Sequence, residues 1–400
     1  MSAAHSFTND DLETLQKAAK ILRVPCLPDP ENPKGPCLTC QKTTFNVFRL
    51  PCLRYKIVDS ILFRTASNSA YEGRFPNVGP RYGNFHVSRV WARDEIKVFE
   101  MIQDRGTILR FKVRQFEPDE EPATDSKGIG GKGRNMFAVP WALIDAETGL
   151  ESLNVFIEES IERYVHAVVN KNSAISWNVF QIAGALASAT EPNHFIRDVL
   201  RLWTACRLIE GGWRCSGTDT LGAERLGNPL RPAWWVSPPP FIDYQFASIV
   251  MHRLLPPLRQ KFTIFLATFI LLHNYELIIA HEVQFARKRR YQVRYVDMNL
   301  VRGALSGSKP LLAHFHYVCK GNFPFESNFD WDARQNRRMA QLDQNQLEFV
   351  QEYARHVQQK SNLLKAANQT DQYEDEYWFI SQLFETNWTP KETNEHPPPF

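Results

Sequence analysis

Four of the chain's seven cysteines fall within 27 residues, as Pro25-Cys26, Cys37-Leu-Thr-Cys40 and Cys52-Leu-Arg54. A Cys-x2-Cys pair sets two thiolates on one tight turn, and further cysteines ten or so residues away can close a tetrahedron around one metal ion. Zinc is the metal that this spacing favours. Residues 16–60 hold too little apolar material for a core of their own, so a metal staple is also what would let them fold. Around the cysteines Lys17, Lys20, Arg23, Lys34, Lys42, Arg49, Arg54 and Lys56 stand against Asp29, Glu31 and Asp59, eight charges to three. A staple of that sign suits nucleic-acid phosphates. The plain alternative is four reduced buried thiols, or remnants of a lost site.

The elements that must carry this module are a small β region and a much larger helical body. A chain of 400 residues with 43% hydrophobic and 12% aromatic content has ample material for a buried core. Its net charge of +3 is too small to mark the whole chain as a nucleic-acid binder, so that role must come from local patches. No basic start followed by an apolar run opens the sequence, so no secretory signal is expected, and the odd cysteine count points to a reducing compartment. A short helix is predicted over 8–22. Strand-like runs follow at 55–64, 85–91, 96–101 and 107–114. From 137 onward helical periodicity dominates, with helices predicted near 150–170, 174–189, 194–210, 241–255, 260–290, 297–307, 310–320, 333–366 and 373–386. The fold class expected is mainly α: a large multi-helix body preceded by a small cysteine-rich zinc module and a short antiparallel β region. The expected divisions are 1–60 for the cysteine module with its leading helix, 61–116 for the β region and 117–136 for a flexible linker. Residues 137–388 would form a helical regulatory or association domain, and 389–400 a disordered tail.

The cysteine run resembles the latter two-thirds of the fungal two-zinc, six-cysteine DNA-binding module, in a subgroup with a long last loop and a Cys-Leu-Arg ending. Cys26, Cys37, Cys40 and Cys52 sit where that family has its third to sixth ligands. Gln16 and Ala19 stand where the first pair would be. The resemblance implies metal ligation by the four cysteines, with one zinc rather than two. It also implies DNA contact through Lys20 and Arg23, with Lys17, Lys42 and Arg54 beside them. Four stretches of the helical body resemble fungal transcription-factor-like proteins as well: Val199 to Gly222, Pro239 to Val250, Phe269 to Glu276 and Val301 to His316. These likenesses carry no active-site signature.

The remaining candidates have bland readings beside them. Gly128-Ile-Gly-Gly-Lys-Gly133 imitates a phosphate loop but lacks Lys-Ser/Thr at its end, and reads as a glycine linker. Residues 262–280 invite a membrane reading, yet only about eleven apolar residues precede His273, Asn274 and Glu276, short of the roughly twenty a bilayer needs. A buried central helix is expected. His273, Glu276, His281, His314 and His316 could be gathered into a metal site, against a reading as satisfied buried histidines. Leu202, Trp203, Cys206, Ile209 and Trp213 make a core stripe, and Arg207 with Glu210 an ion pair on the helix surface. Arg287, Lys288, Arg289 and Arg290 end a helix, as the macrodipole favours, or form a nuclear-import signal or phosphate-contacting patch. Residues 371–385 interleave acids with aromatics, as an activation segment or as a last amphipathic helix.

The function expected is a nuclear transcription regulator that binds DNA through the degenerate module, with the helical domain regulating it or mediating association. Partners would be DNA, and protein partners or further copies of the chain. No enzyme, membrane or nucleotide-cofactor role is expected. The alternative is a non-DNA-binding interaction protein derived from such a factor, nuclear or cytoplasmic.

Overall fold

The structure is a computed structural model that describes residues 91–103, 107–117, 141–189, 194–210, 214–216, 221, 261–319, 342–385 and 387–391. The predicted helices at 8–22 and 241–255, the predicted strand at 55–64 and all but the last residue of that at 85–91, the cysteine module and the glycine linker lie outside the described residues. Among those residues the chain forms seven α-helices and four strands, so the mainly helical expectation with a small antiparallel sheet holds. It divides into two compact units, one of residues 63–170 and 200–246, the other of residues 1–62, 171–199 and 247–400.

The first unit is built on two long strands, β1 (Trp91–Ile102) and β2 (Ile108–Phe116), flanked by short β3 (Trp141–Leu143) and β4 (Arg214–Cys215) in the antiparallel order β3-β2-β1-β4. Alternation decides its faces. Phe99 and Met101 of β1 lie opposite Phe111 and Leu109 of β2, and all four are buried together with Val113. On the other face Glu100 stands opposite Arg110, and the pair closes at 2.8 Å. Helix α1 (Ala146–Val168) packs on β2. Asp145 caps it by accepting the Thr148 N–H, and Leu153, Phe156, Ile157, Ser160 and Tyr164 form its buried stripe. Gly149 lets the helix come close to the sheet, because a Cβ there would stand 2.9 Å from the Leu143 side chain. Gln103 ties the unit internally, donating to the Leu208 carbonyl at 2.8 Å and accepting from the Tyr164 hydroxyl.

Helix α3 (His194–Glu210) matches its predicted span, and the division between the units falls inside it after Val199. Leu202, Trp203 and Cys206 are buried as the stripe predicts. Arg207 is not a surface residue. It is 4% exposed, with its guanidinium 5.6 Å from the centre of the Trp203 ring one turn back. The i+4 spacing brings the guanidinium over the Trp203 ring.

The second unit is organised on α4 (Lys261–Lys288). By length and composition it is the one described helix apolar enough to cross a membrane, and 94% of its most apolar window is buried by the rest of the protein. A helix apolar all round needs neighbours all round. These include α2 (Ala174–Ser188), α5 (Met298–Cys319) and a 3-10 helix at Ile380–Phe384. Periodicity predicts two short helices at 297–307 and 310–320, yet α5 runs continuously through Pro310. Proline removes one N–H and costs roughly 3 kcal/mol in a helix interior. Burial of Val301, Ala304 and Leu305 before it, and of Leu311, Leu312 and Phe315 after it, outweighs that cost. The predicted helix at 333–366 instead starts at α6 (Gln344–Gln359), where Asp343 and Gln346 form a capping box, and breaks at Lys360 into α7 (Ser361–Ala367).

Candidate functional site

The polar groups that nothing in the apolar packing requires are concentrated where residues 368–388 dock on α4 and α5. That segment interleaves Asp371, Glu374, Asp375, Glu376 and Glu385 with aromatic residues. It is neither a free segment nor an α-helix: it docks through turns and the 3-10 helix, burying Tyr373, Tyr377, Trp378, Phe379, Ile380, Leu383 and Trp388. Tyr373, Tyr377, Ile380 and Phe384 keep a helical spacing, but the four consecutive side chains Tyr377, Trp378, Phe379 and Ile380 are all buried, which one face of an α-helix could not achieve.

Three polar ties hold it. In the first, Glu276 of α4 uses Oε1 to accept the N–H groups of Phe379 and Ile380, at 3.2 and 3.1 Å. The 3-10 helix has no capping side chain of its own, and Glu276 supplies the cap from another helix. Burial pushes its carboxyl up to about 8, and backbone hydrogen bonds from Ile380, Phe379 and Tyr377 offset only part of that rise. In the second, the His316 Nε2–H donates to the Gln382 carbonyl at 3.0 Å, and its ring stacks on Trp388 with 8° between planes. Burial brings His316 down to about 4, against that one hydrogen bond. The indole N–H of Trp388 closes the loop on Gln382 Oε1 at 3.0 Å.

The third tie is charged. Glu374 receives both the Arg294 guanidinium and the Tyr295 hydroxyl, and Tyr295 in turn accepts the Tyr373 N–H at 2.9 Å. Burial, and then the Glu374 hydrogen bond and charge, push the Tyr295 phenol well above its usual range. Tyr377, between the ties, has a left-handed backbone with φ of 72°, and its hydroxyl bonds to Ser173, which caps α2. A bulky residue in that region is strained and persists only where its surroundings over-determine it. The arrangement is a latch: the Glu276 cap, the His316 hydrogen bond and the Arg294–Glu374 ion pair pin a single segment.

The candidate residues from the sequence separate accordingly. His273 is buried edge-on against Phe180 at 5.0 Å, while His281 and His314 are half-buried. Among the described residues no three His, Cys, Asp or Glu side chains come together so as to hold a metal ion. Arg287, Lys288, Arg289 and Arg290 are all exposed, at the end of α4 and in the turn after it. Arg294, which continues that cluster in sequence, is instead buried on Glu374. Cys26, Cys37, Cys40, Cys52, Lys17, Lys20, Arg23, Lys42 and Arg54 lie outside the described residues. Sequence reasoning missed Glu374, Tyr295 and Gln382, for which no spacing signal exists. Glu276 stands out in the sequence as a carboxylate in an apolar helix, but nothing local marks it as a cap for residues 379–380.

The class of the protein follows from kinship. The family model described as KpeA transcription factor matches residues 80–383. That is more than half of the chain, and the chain belongs to the KpeA transcription factor family. The matched span begins beyond Cys52, so it supports a transcription-factor-like protein without bearing on the cysteine module. No curated protein and no solved structure matches the chain.

Proposed function

We propose that this protein is a nuclear transcription regulator that meets DNA through the basic cysteine module of residues 1–60, with the helical body regulating that contact. The observation that carries the reading is the family match over residues 80–383, preceded in the same chain by Cys26, Cys37, Cys40 and Cys52 among an excess of lysine and arginine. Four thiolates fit one tetrahedral zinc and fall two short of the six that a two-zinc cluster takes. Zinc held by these cysteines would order the module so that Lys20 and Arg23, with Lys17, Lys42 and Arg54, present a fixed basic face to phosphates.

The test is zinc per chain on protein purified without chelator, alongside a Cys37→Ala, Cys40→Ala double variant. About one zinc, lost in the variant, is expected, together with DNA affinity that falls steeply as salt rises. The absence of Cys residues at Gln16 and Ala19 favours the second reading, an interaction protein that does not touch DNA. Zinc-free protein with no salt-dependent DNA binding would select it.

A further inference from the structure

Four of the eight large apolar side chains exposed among the described residues lie in one short stretch: Phe285, Tyr291, Val293 and Val296, at 36, 37, 52 and 43%. The same stretch exposes Arg287, Lys288, Arg289 and Arg290. Helix α4 ends here in a closed turn, with the Arg290 N–H donating to the Arg287 carbonyl and the Tyr291 N–H to the Ala286 carbonyl, both at 3.0 Å. Arg290 takes the left-handed position of that turn at φ 57°, where glycine is the default because a Cβ is strained. The Phe285 and Tyr291 rings lie 6.4 Å apart, and the Arg289 guanidinium lies 5.6 Å from the Phe285 ring. The turn therefore presents exposed apolar side chains beside exposed positive charge. A receptor that reads an extended basic peptide would have to unwind it. A phosphate backbone would engage the charges and leave the valines and rings wet.

A surface that satisfies both halves carries acids and an aliphatic side chain on one helix face, and this chain has one. On α1, Glu147, Glu151, Val155 and Glu159 recur every four residues, all exposed, with Glu162 one turn further on. Val155 is 52% exposed in the middle of the stripe. Arg163 and His166 follow at its C-terminal end, with Glu162 3.9 Å from His166, so the stripe is acidic from Glu147 to Glu159.

We propose that the chain self-associates by laying the acidic face of α1 from one copy on the basic aromatic turn of residues 285–296 of a second copy. Val155 covers the Phe285 and Tyr291 rings, and Glu147, Glu151 and Glu159 meet Arg287, Arg289 and Arg290. The apolar side chains supply affinity, and the charges supply register and choice of partner. Nothing in this contact uses the cysteine module, so it stands or falls separately from DNA reading.

The experiment measures the solution mass of the full chain, without DNA, against protein concentration at low and high salt. The wild type is expected to associate, and less so at high salt. Arg289→Glu with Arg290→Glu, and separately Glu151→Lys with Glu159→Lys, should each weaken association by at least about tenfold, while far-UV circular dichroism stays that of the wild type. An equimolar mixture of the two variants should associate again, because each reversed face then meets its complement. A wild type that remains monomeric, or reversed variants that associate as the wild type does, or a mixture that stays monomeric, would overturn the proposal.

Discussion

Arg290 and Arg294 stand four residues apart and do opposite things. Arg294 is buried against Glu374, and its charge is spent on holding one segment of the protein to another. Arg290 is exposed at the tip of a turn whose backbone would be easier with glycine, and its charge faces outward. A charge brought inside must find its counter-charge inside, because the desolvation cost is otherwise prohibitive. A charge kept outside at the cost of backbone strain has no such internal role. The latch around Glu276, His316 and Glu374 is thus an internal device, and the turn of residues 285–296 an external one.

The largest effect expected from breaking this contrast comes from Arg294→Ala. Removing one partner leaves the other buried and unpaired, at roughly 3–5 kcal/mol, to be read from denaturant midpoints. Loss of less than about a tenth of that range would show that water reaches Glu374 and that the pair is not a buried one. Of intermediate size is a pH effect. Glu276 is raised from 4.5 to about 8, so its contribution is complete below pH 4.5 and is lost as pH rises towards 8. His316 is lowered from 6.5 to about 4, so its contribution is complete above pH 6.5 and is lost as pH falls towards 4. The two slopes cancel between pH 4.5 and 6.5, and only the Glu276 loss remains between 6.5 and 8. Glu276→Gln keeps an acceptor oxygen for Phe379 and Ile380 and removes the ionisation. Its melting temperature should hold steady from pH 6.5 to 8 while that of the wild type falls, and parallel curves would remove Glu276 from the latch. The smallest effect is that of Arg290→Gly, which relieves the left-handed strain and should stabilise by up to about 1 kcal/mol. A destabilised variant would mean that the arginine contributes to the fold after all.

Helices α2 and α3 were legible to within a residue, because Ser173 caps one and the apolar stripe of the other starts cleanly after Asn193. The failures share a cause. Pro310 is a local helix breaker, but the long-range packing of α5 on α4 decides the outcome. Arg207 and Arg294 look like surface charges, because a sequence pattern assigns charge to the outside and cannot show that Trp203 or Glu374 waits within. The segment 371–385 was legible as apolar enough to dock but not in its conformation, since its partner Glu276 lies 103 residues before Phe379. A cap supplied from that distance leaves no local signature. The turn of residues 285–296 was legible for its cations alone, as valines and rings between arginines look like ordinary core positions until their exposure is known.

The distance from Glu276 to Phe379 also sets a schedule for the ribosome. Helix α4 is synthesised 103 residues before the N–H groups that cap against its carboxyl. At ordinary elongation rates of about 5–20 residues per second that gap lasts roughly 5–20 s. During it the part of this apolar helix that the 3-10 helix at Ile380–Phe384 packs against stays uncovered. Chaperones that shield apolar helices as they emerge are therefore the natural attendants of this chain's synthesis, and a chain released before Tyr373 would keep needing them.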